Sequence, residues 1–195
     1  VSQVAPRARI GREFFEGLYA RSEDPWDFAT SAYEREKYAD TLAALGGARF
    51  KRGLEVGCSI GVFTEQLAEV CGEVVGIDVS ERALARAHER LGERPNVTLR
   101  TMAFPEEMPV GPWDLVVCSE VLYYLDDAAF ARAVERLRAA LAHDATVLAV
   151  HWRPPTSTYP LLGDEVHDRL TAQLGDWHVL DGRRSCYRLD RFEAR

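Results

Sequence analysis

The chain has 195 residues, 47% of them apolar and 28% charged, which is the balance of a globular protein with one core. Its formal net charge of −7 argues against a nucleic-acid groove, which needs a basic stripe, and no apolar run reaches membrane-spanning length. Cys58, Cys71, Cys118 and Cys186 show no Cys-x-x-Cys pairing and the histidines no metal-ligand spacing; without a basic-then-apolar leader, this reads as a cytoplasmic protein with free thiols and no metal site.

Residues 1–9 read as a loose lead-in. From Ile10 to Ala20, Phe14, Phe15, Leu18 and Tyr19 make a helical stripe. A turn over residues 22–26 carries Trp26. A second helix, Ser31 to Leu45, sets Tyr33, Lys37 and Thr41 on one face at four-residue spacing, and Gly46-Gly47 ends it. Because these helices precede the first strand, residues 1–47 are expected to cap a crevice in a core spanning 48–195, all within a single domain.

The first strand ends at Val56 and turns through Gly57 and Gly61 into a helix with Val62, Phe63, Leu67 and Val70 on its apolar faces. A second strand then delivers Asp78 at its carboxyl end. In an open parallel sheet, ligands bind at strand carboxyl ends where the strand order reverses. A glycine turn admits a ligand close to backbone, and an acid about 20 residues on can grip ribose hydroxyls. The pattern therefore predicts a nucleoside-containing cofactor. Gly57-x-x-x-Gly61 lacks the middle glycine of a dinucleotide fingerprint, and Glu55 would repel a pyrophosphate while attracting an amine or sulfonium. Both features count against an NAD-dependent oxidoreductase.

Ser80 and Glu81 start a helix over Glu81–Leu91. Asn96–Thr101 reads as the third strand, residues 105–112 as a proline-rich loop, and Trp113–Cys118 as a fourth strand buried on both faces. A helix over Asp127–His143 leads to a fifth strand, Ala145–Trp152. Gly163–Leu174 reads as helix. Trp177–Leu180 and Ser185–Phe192 read as a hairpin turning at Asp181-Gly182. The alternation predicts an α/β sandwich around a mostly parallel sheet.

Glu55-x-Gly57-x-x-x-Gly61 followed by Ile77-Asp78 resembles the first two motifs of class I S-adenosylmethionine (SAM) methyltransferases. Asp24-Pro25-Trp26, the Tyr33–Lys37 helix, Gly57-Cys58, Phe63-Thr64-Glu65 with Leu67-Ala68, and Glu120–Leu125 are together similar to the nodulation protein S family, over residues 24–130. That family N-methylates the free amino group of a deacetylated chitooligosaccharide. The resemblance implies a Rossmann-like sandwich with a seven-stranded, mostly parallel sheet, an antiparallel last strand and N-terminal cap helices. It also implies SAM as cofactor, S-adenosylhomocysteine (SAH) as product, a small-molecule acceptor, and a monomer or homodimer.

Carried onto this chain, the resemblance has Gly57 and Gly61 admitting the cofactor and Glu55 orienting the loop and favouring the cofactor's amine. Asp78 takes the ribose, Lys37 and Tyr33 the methionine carboxylate, and Trp26 lies against the sulfonium. Ser59, Val79, Ala103, Phe104 and Ser119 complete the cofactor's walls. An amine must be neutral to attack, which makes His151, with an ordinary pKa of about 6.5, the candidate base, while Glu120, at the end of the fourth strand, could attract a cationic acceptor or accept its proton. Tyr123, Tyr124, Trp152 and Tyr159 would stack a sugar ring, with Arg153 and His167 touching the acceptor. Two departures stand out: no acid follows the third strand, where the chain reads Thr101-Met102-Ala103-Phe104, and His151-Trp152-Arg153 with Asp164–His167 is not the family's pattern. An O-methyltransferase and a non-catalytic SAM-binding module remain alternatives.

Overall fold

The computed structural model describes residues 8–194; most of the expected lead-in, residues 1–7, lies outside them. Helices α1 (Arg12–Arg21) and α2 (Ala32–Ala43) precede a sheet of seven strands. These are β1 (Phe50–Val56), β2 (Cys71–Asp78), β3 (Val97–Thr101), β4 (Trp113–Ser119), β5 (Leu141–Trp152), β6 (His178–Arg183) and β7 (Tyr187–Glu193). Helices α3 (Val62–Leu67), α4 (Glu81–Leu91), α5 (Asp127–Ala140) and α6 (Gly163–Leu174) connect them. The strand order is β3-β2-β1-β4-β5-β7-β6. The first five strands pair parallel, and β7 runs antiparallel to both of its neighbours. The order reverses between β1 and β4, so the crevice opens beyond Val56 and Ser119.

Strand residues alternate between two core layers, as the two-residue period requires. Val56, Ile77, Val116 and Cys118 join residues of α5 and α6 on one face, while Val74, Leu115, Val117 and Leu148 meet Tyr38, Phe63 and Leu67 on the other. Side chains of Ser31, Ser80 and Asp126 accept backbone N–H bonds at the starts of α2, α4 and α5, satisfying donors with no partner inside the helix. No helix among the described residues is long and apolar enough to cross a membrane.

The predicted architecture is observed, with two local corrections. Helix α5 stops at Ala140 rather than His143, and β5 begins at once. A register shift, with Trp113 opposite Leu141 but Leu115 opposite Thr146, absorbs the extra residues. The closing hairpin turns after Arg183, not at Asp181-Gly182, which pair with Asp190 and Leu189. Gly182 serves close approach instead, because a Cβ there would lie 2.7 Å from Leu189 O.

Candidate functional site

The loop after β1 is held to the end of β2. Gly57 and Cys58 donate their N–H groups to Ile77 O at 2.8 and 2.9 Å. Gly57 has a φ of +77°, and a Cβ there would also press on Val121 at 3.3 Å. Ser59 N donates to Asp78 Oδ2 at 2.9 Å and Ser80 N to Oδ1 at 2.8 Å, so the carboxylate is fixed where the strand ends. Burial pushes the Asp78 carboxyl upward against the pull of these backbone bonds.

Above this floor lies a cavity of about 940 Å³, at the large end of the 300–1,000 Å³ typical of small-molecule sites. Helices α1 and α2 supply its lid, through Phe15, Tyr19, Tyr33, Glu34 and Lys37. Trp26 stacks on Phe28 with ring centres 5.5 Å apart, and Tyr19 meets Trp26 edge-on. The Tyr19 hydroxyl bonds to the Ser59 hydroxyl, tying the lid to the loop. Val79, Met102, Ala103 and Phe104 line one end.

The other end holds three ions. Lys37 is 2% exposed, and its Nζ lies 2.7 Å from Glu120 Oε1 and 3.0 Å from Glu34 Oε1. Burial works against the Lys37 charge, but Glu120 and Glu34 outweigh it and hold the ammonium above its ordinary range. Burial raises Glu34, partly opposed by Lys37. Glu120 Oε2 accepts both the Tyr123 hydroxyl at 2.5 Å and Trp152 N at 3.0 Å. Two polar atoms here have no hydrogen-bond partner: Tyr33 Oη, and Glu34 Oε2, which lies 2.9 Å from Lys37 Nζ without bonding geometry. Tyr123 stacks on Tyr159 at 4.5 Å, with Tyr124 edge-on to both.

Most of the expected residues meet around this cavity: Trp26, Tyr33, Lys37, Gly57, Ser59, Asp78, Val79, Ala103, Phe104, Ser119, Glu120, Tyr123, Tyr124, Trp152 and Tyr159. Five do not. Gly61 starts α3 in the left-handed region, where a Cβ would sit 3.1 Å from Ala87 and Leu91, so it serves helix packing. Glu55 is buried beneath the loop, accepts the Thr64 hydroxyl, and borders only a small cavity of about 30 Å³; burial raises its carboxyl to about 8.

His151, the expected base, is fully buried on the face of β5 opposite Trp152. Its Nε2 accepts Leu122 N at 3.1 Å, and burial pushes its pKa well below the ordinary value, so it offers no lone pair to the cavity. His167 is equally buried, beside Asp190. Arg153 grips Asp164 at 2.9 and 3.0 Å and donates to Arg184 O, away from the cavity.

Tyr19, Phe28, Glu34 and Glu107 line the cavity without having been singled out as site residues. Glu34 had a readable signal, since it stands three residues before Lys37 on one helix. Glu107 had none: its carboxylate folds back to accept Ala103 N at 2.7 Å, close to where the acid after β3 is missing.

The sequence model of the family described as nodulation protein S (NodS) matches residues 17–153, further at both ends than the motifs alone suggested. Nodulation protein S of Sinorhizobium fredii is 38% identical over 123 residues, covering 62% of this chain and 57% of the relative. The chain thus matches little more than half the length of that relative. A crystal structure of the N-methyltransferase NodS from Bradyrhizobium japonicum in complex with SAH superposes with a TM-score of 0.81 at 26% identity, covering 94% of this chain and 97% of that one. A putative methyltransferase from Pseudomonas syringae superposes at 0.72 with 35% identity, covering 84% of this chain and 99% of that one.

Proposed function

The chain belongs to the nodulation protein S family, and from that premise we propose that it is a SAM-dependent N-methyltransferase acting on an amine of a small molecule, an amino sugar of the deacetylated chitooligosaccharide kind. The observation that carries the reading is one cavity with a fixed carboxylate, Asp78, at its floor and the Glu34–Lys37–Glu120 cluster at its far end.

The residues present fit the cofactor. Asp78 would take the ribose hydroxyls, the Gly57–Ser59 loop the amino-acid end, and Val79, Met102 and Phe104 the adenine. Trp26 and Phe28 offer stacked faces that favour a cation. Lys37 is less suited to the methionine carboxylate than the motif implies, because Glu34 and Glu120 already hold its ammonium. Tyr33 Oη is the unpartnered hydroxyl left on α2 for that task. When bound, SAM supplies a methyl group on a sulfonium whose departure needs no proton. The protein's part is then chiefly to hold two molecules at attack distance, which can be worth roughly 7–11 kcal/mol.

The cluster favours an amine over a hydroxyl. Two carboxylates around one buried ammonium leave a net negative charge at the end of the cavity, and an arriving ammonium balances it. Glu120 is occupied by three donors. Glu34 borders the cavity with a carboxyl raised by burial and with Lys37 as its ion-pair partner, so Glu34 takes the proton and leaves the amine neutral to attack. Tyr123, Tyr159 and Trp152 hold the sugar.

Calorimetric titration with SAH, followed by transfer of a labelled methyl group from SAM to deacetylated chitooligosaccharide, tests the reading. One-to-one SAH binding that is lost in Asp78→Ala, together with label in N-methyl product, supports it. No SAH binding by the wild-type protein sinks it.

A further inference from the structure

Behind the acceptor wall runs a buried chain of polar side chains that the proposed reaction does not use. His151, His167 and Asp190 are all fully buried. The donors fix their tautomers. Leu122 donates its N–H to His151 Nε2 at 3.1 Å, so the ring's proton sits on Nδ1. That nitrogen lies 3.1 Å from His167 Nε2, which must accept, placing the His167 proton on Nδ1. His167 Nδ1 faces Asp190 Oδ2 at 3.0 Å, in contact but without hydrogen-bonding geometry. Asp190 is anchored in turn by Arg188, at 3.0 Å from Nη2 and 3.3 Å from Nε, and Arg188 by Asp168 at 2.7 Å. His178 Nε2 stands 3.6 Å from the same Asp190 oxygen. Burial works to raise the Asp190 carboxyl, but His167 and Arg188 outweigh it and hold it low, keeping an acceptor at the chain's end.

The near end of the chain meets the acceptor wall twice. His151 takes the Leu122 N–H, and its ring packs edge-on against Tyr123 at 5.2 Å. Tyr123 in turn donates to Glu120. We propose that His151, His167 and Asp190 act as positioning residues that fix the Leu122–Tyr124 turn, and through it Tyr123 and Glu120, for the acceptor while touching no ligand themselves. This places a specificity element for the acceptor on β5, α6 and β7, outside the cofactor motifs. Its kinetic readout rests on the amine-transfer reading above; its geometry does not.

The experiment has two arms. In protein labelled with ¹⁵N-histidine at pH 7.5, two-bond proton–nitrogen spectra are expected to show His151 and His167 as neutral Nδ1–H tautomers, assigned through His151→Gln and His167→Gln. Any other tautomer at His151 overturns the chain, whatever the protein's activity. In the second arm, His151→Leu removes the acceptor for Leu122 N–H, whereas His151→Gln keeps an oxygen near the Nε2 position. The leucine variant is expected to lose about tenfold or more in kcat/KM for deacetylated chitooligosaccharide, with SAH affinity within about twofold of wild type, and glutamine is expected to recover most of the loss. Parallel losses of SAH affinity and transfer, or no rescue by glutamine, would overturn the proposal. If His151→Leu does not fold, His167→Leu carries the same comparison. If the wild-type protein methylates no amine, the functional reading fails and the tautomer spectra still decide the chain.

Discussion

Lys37 Nζ and Glu120 Oε1 lie 2.7 Å apart, and this contact joins the cap helix α2 to the carboxyl end of β4. The lysine is 2% exposed and shared with Glu34, so the lid closes over the cavity on a buried ion triad.

Removing the cation should therefore do more than remove a contact. Lys37→Ala leaves two buried carboxylates facing each other, and breaking such a pair costs about 3–5 kcal/mol. Urea denaturation is expected to show that loss. Lys37→Met combined with Glu34→Gln, which removes two of the three charges, should recover part of it.

Glu34→Gln should separate chemistry from cofactor binding. Loss of a general base costs about 10²–10⁴ in rate. SAH affinity is expected to stay within about twofold, because Asp78 and the Gly57 loop are untouched. In the wild type, kcat/KM for the amine should fall as acid protonates Glu34, beginning at higher pH than for an ordinary carboxylate because burial raises this one. A rate equal to wild type in Glu34→Gln would remove the glutamate from the mechanism.

Tyr19→Phe deletes the hydroxyl that meets Ser59. A net hydrogen bond contributes about 0.5–1.5 kcal/mol, so SAH should bind roughly 2–12-fold more weakly by calorimetry. The circular dichroism spectrum should not change.

Glu55 sets a pH dependence of stability. Its carboxyl is raised from 4.5 to about 8 by burial, so the folded state holds a proton that the unfolded state releases. The associated stability is complete below about pH 4.5 and is lost as pH rises to about 8, for a total on the order of a few kcal/mol. Glu55→Gln stays neutral and can still accept from Thr64. Urea midpoints measured between pH 5 and 8.5 should slope less in this variant, and it should be the more stable protein at the upper end.

The order of helices and strands along the chain and the places of the glycine loop and Asp78 were legible because each rests on local signals. Ser80 caps α4 and Gly92 stops it, giving Glu81–Leu91 its predicted bounds. Gly57 and Asp78 sit where strands end, which chain order alone can locate. The fate of His151 was not legible. Adjacent strand residues face opposite layers, and His151 and Trp152 looked equally placed until β5 acquired a phase against α6. Arg153 and His167 were hidden for a related reason, since Asp164 and Asp190, each on a different element, capture them through tertiary contacts. Gly182 looked like a turn residue but is a strand residue pressed against Leu189, and glycine suits both.

The ion pair that closes the lid spans 83 residues of chain. On a ribosome, Lys37 emerges well before β4 exists to receive it, and a lysine destined for 2% exposure must wait in water with only Glu34 beside it. The cap can dock only after the β1–β4 switch point has assembled, which makes it a late step in folding. Because loop-closure entropy must be overcome before so distant a contact forms, cap residues translated before the sheet are among the last to find their place.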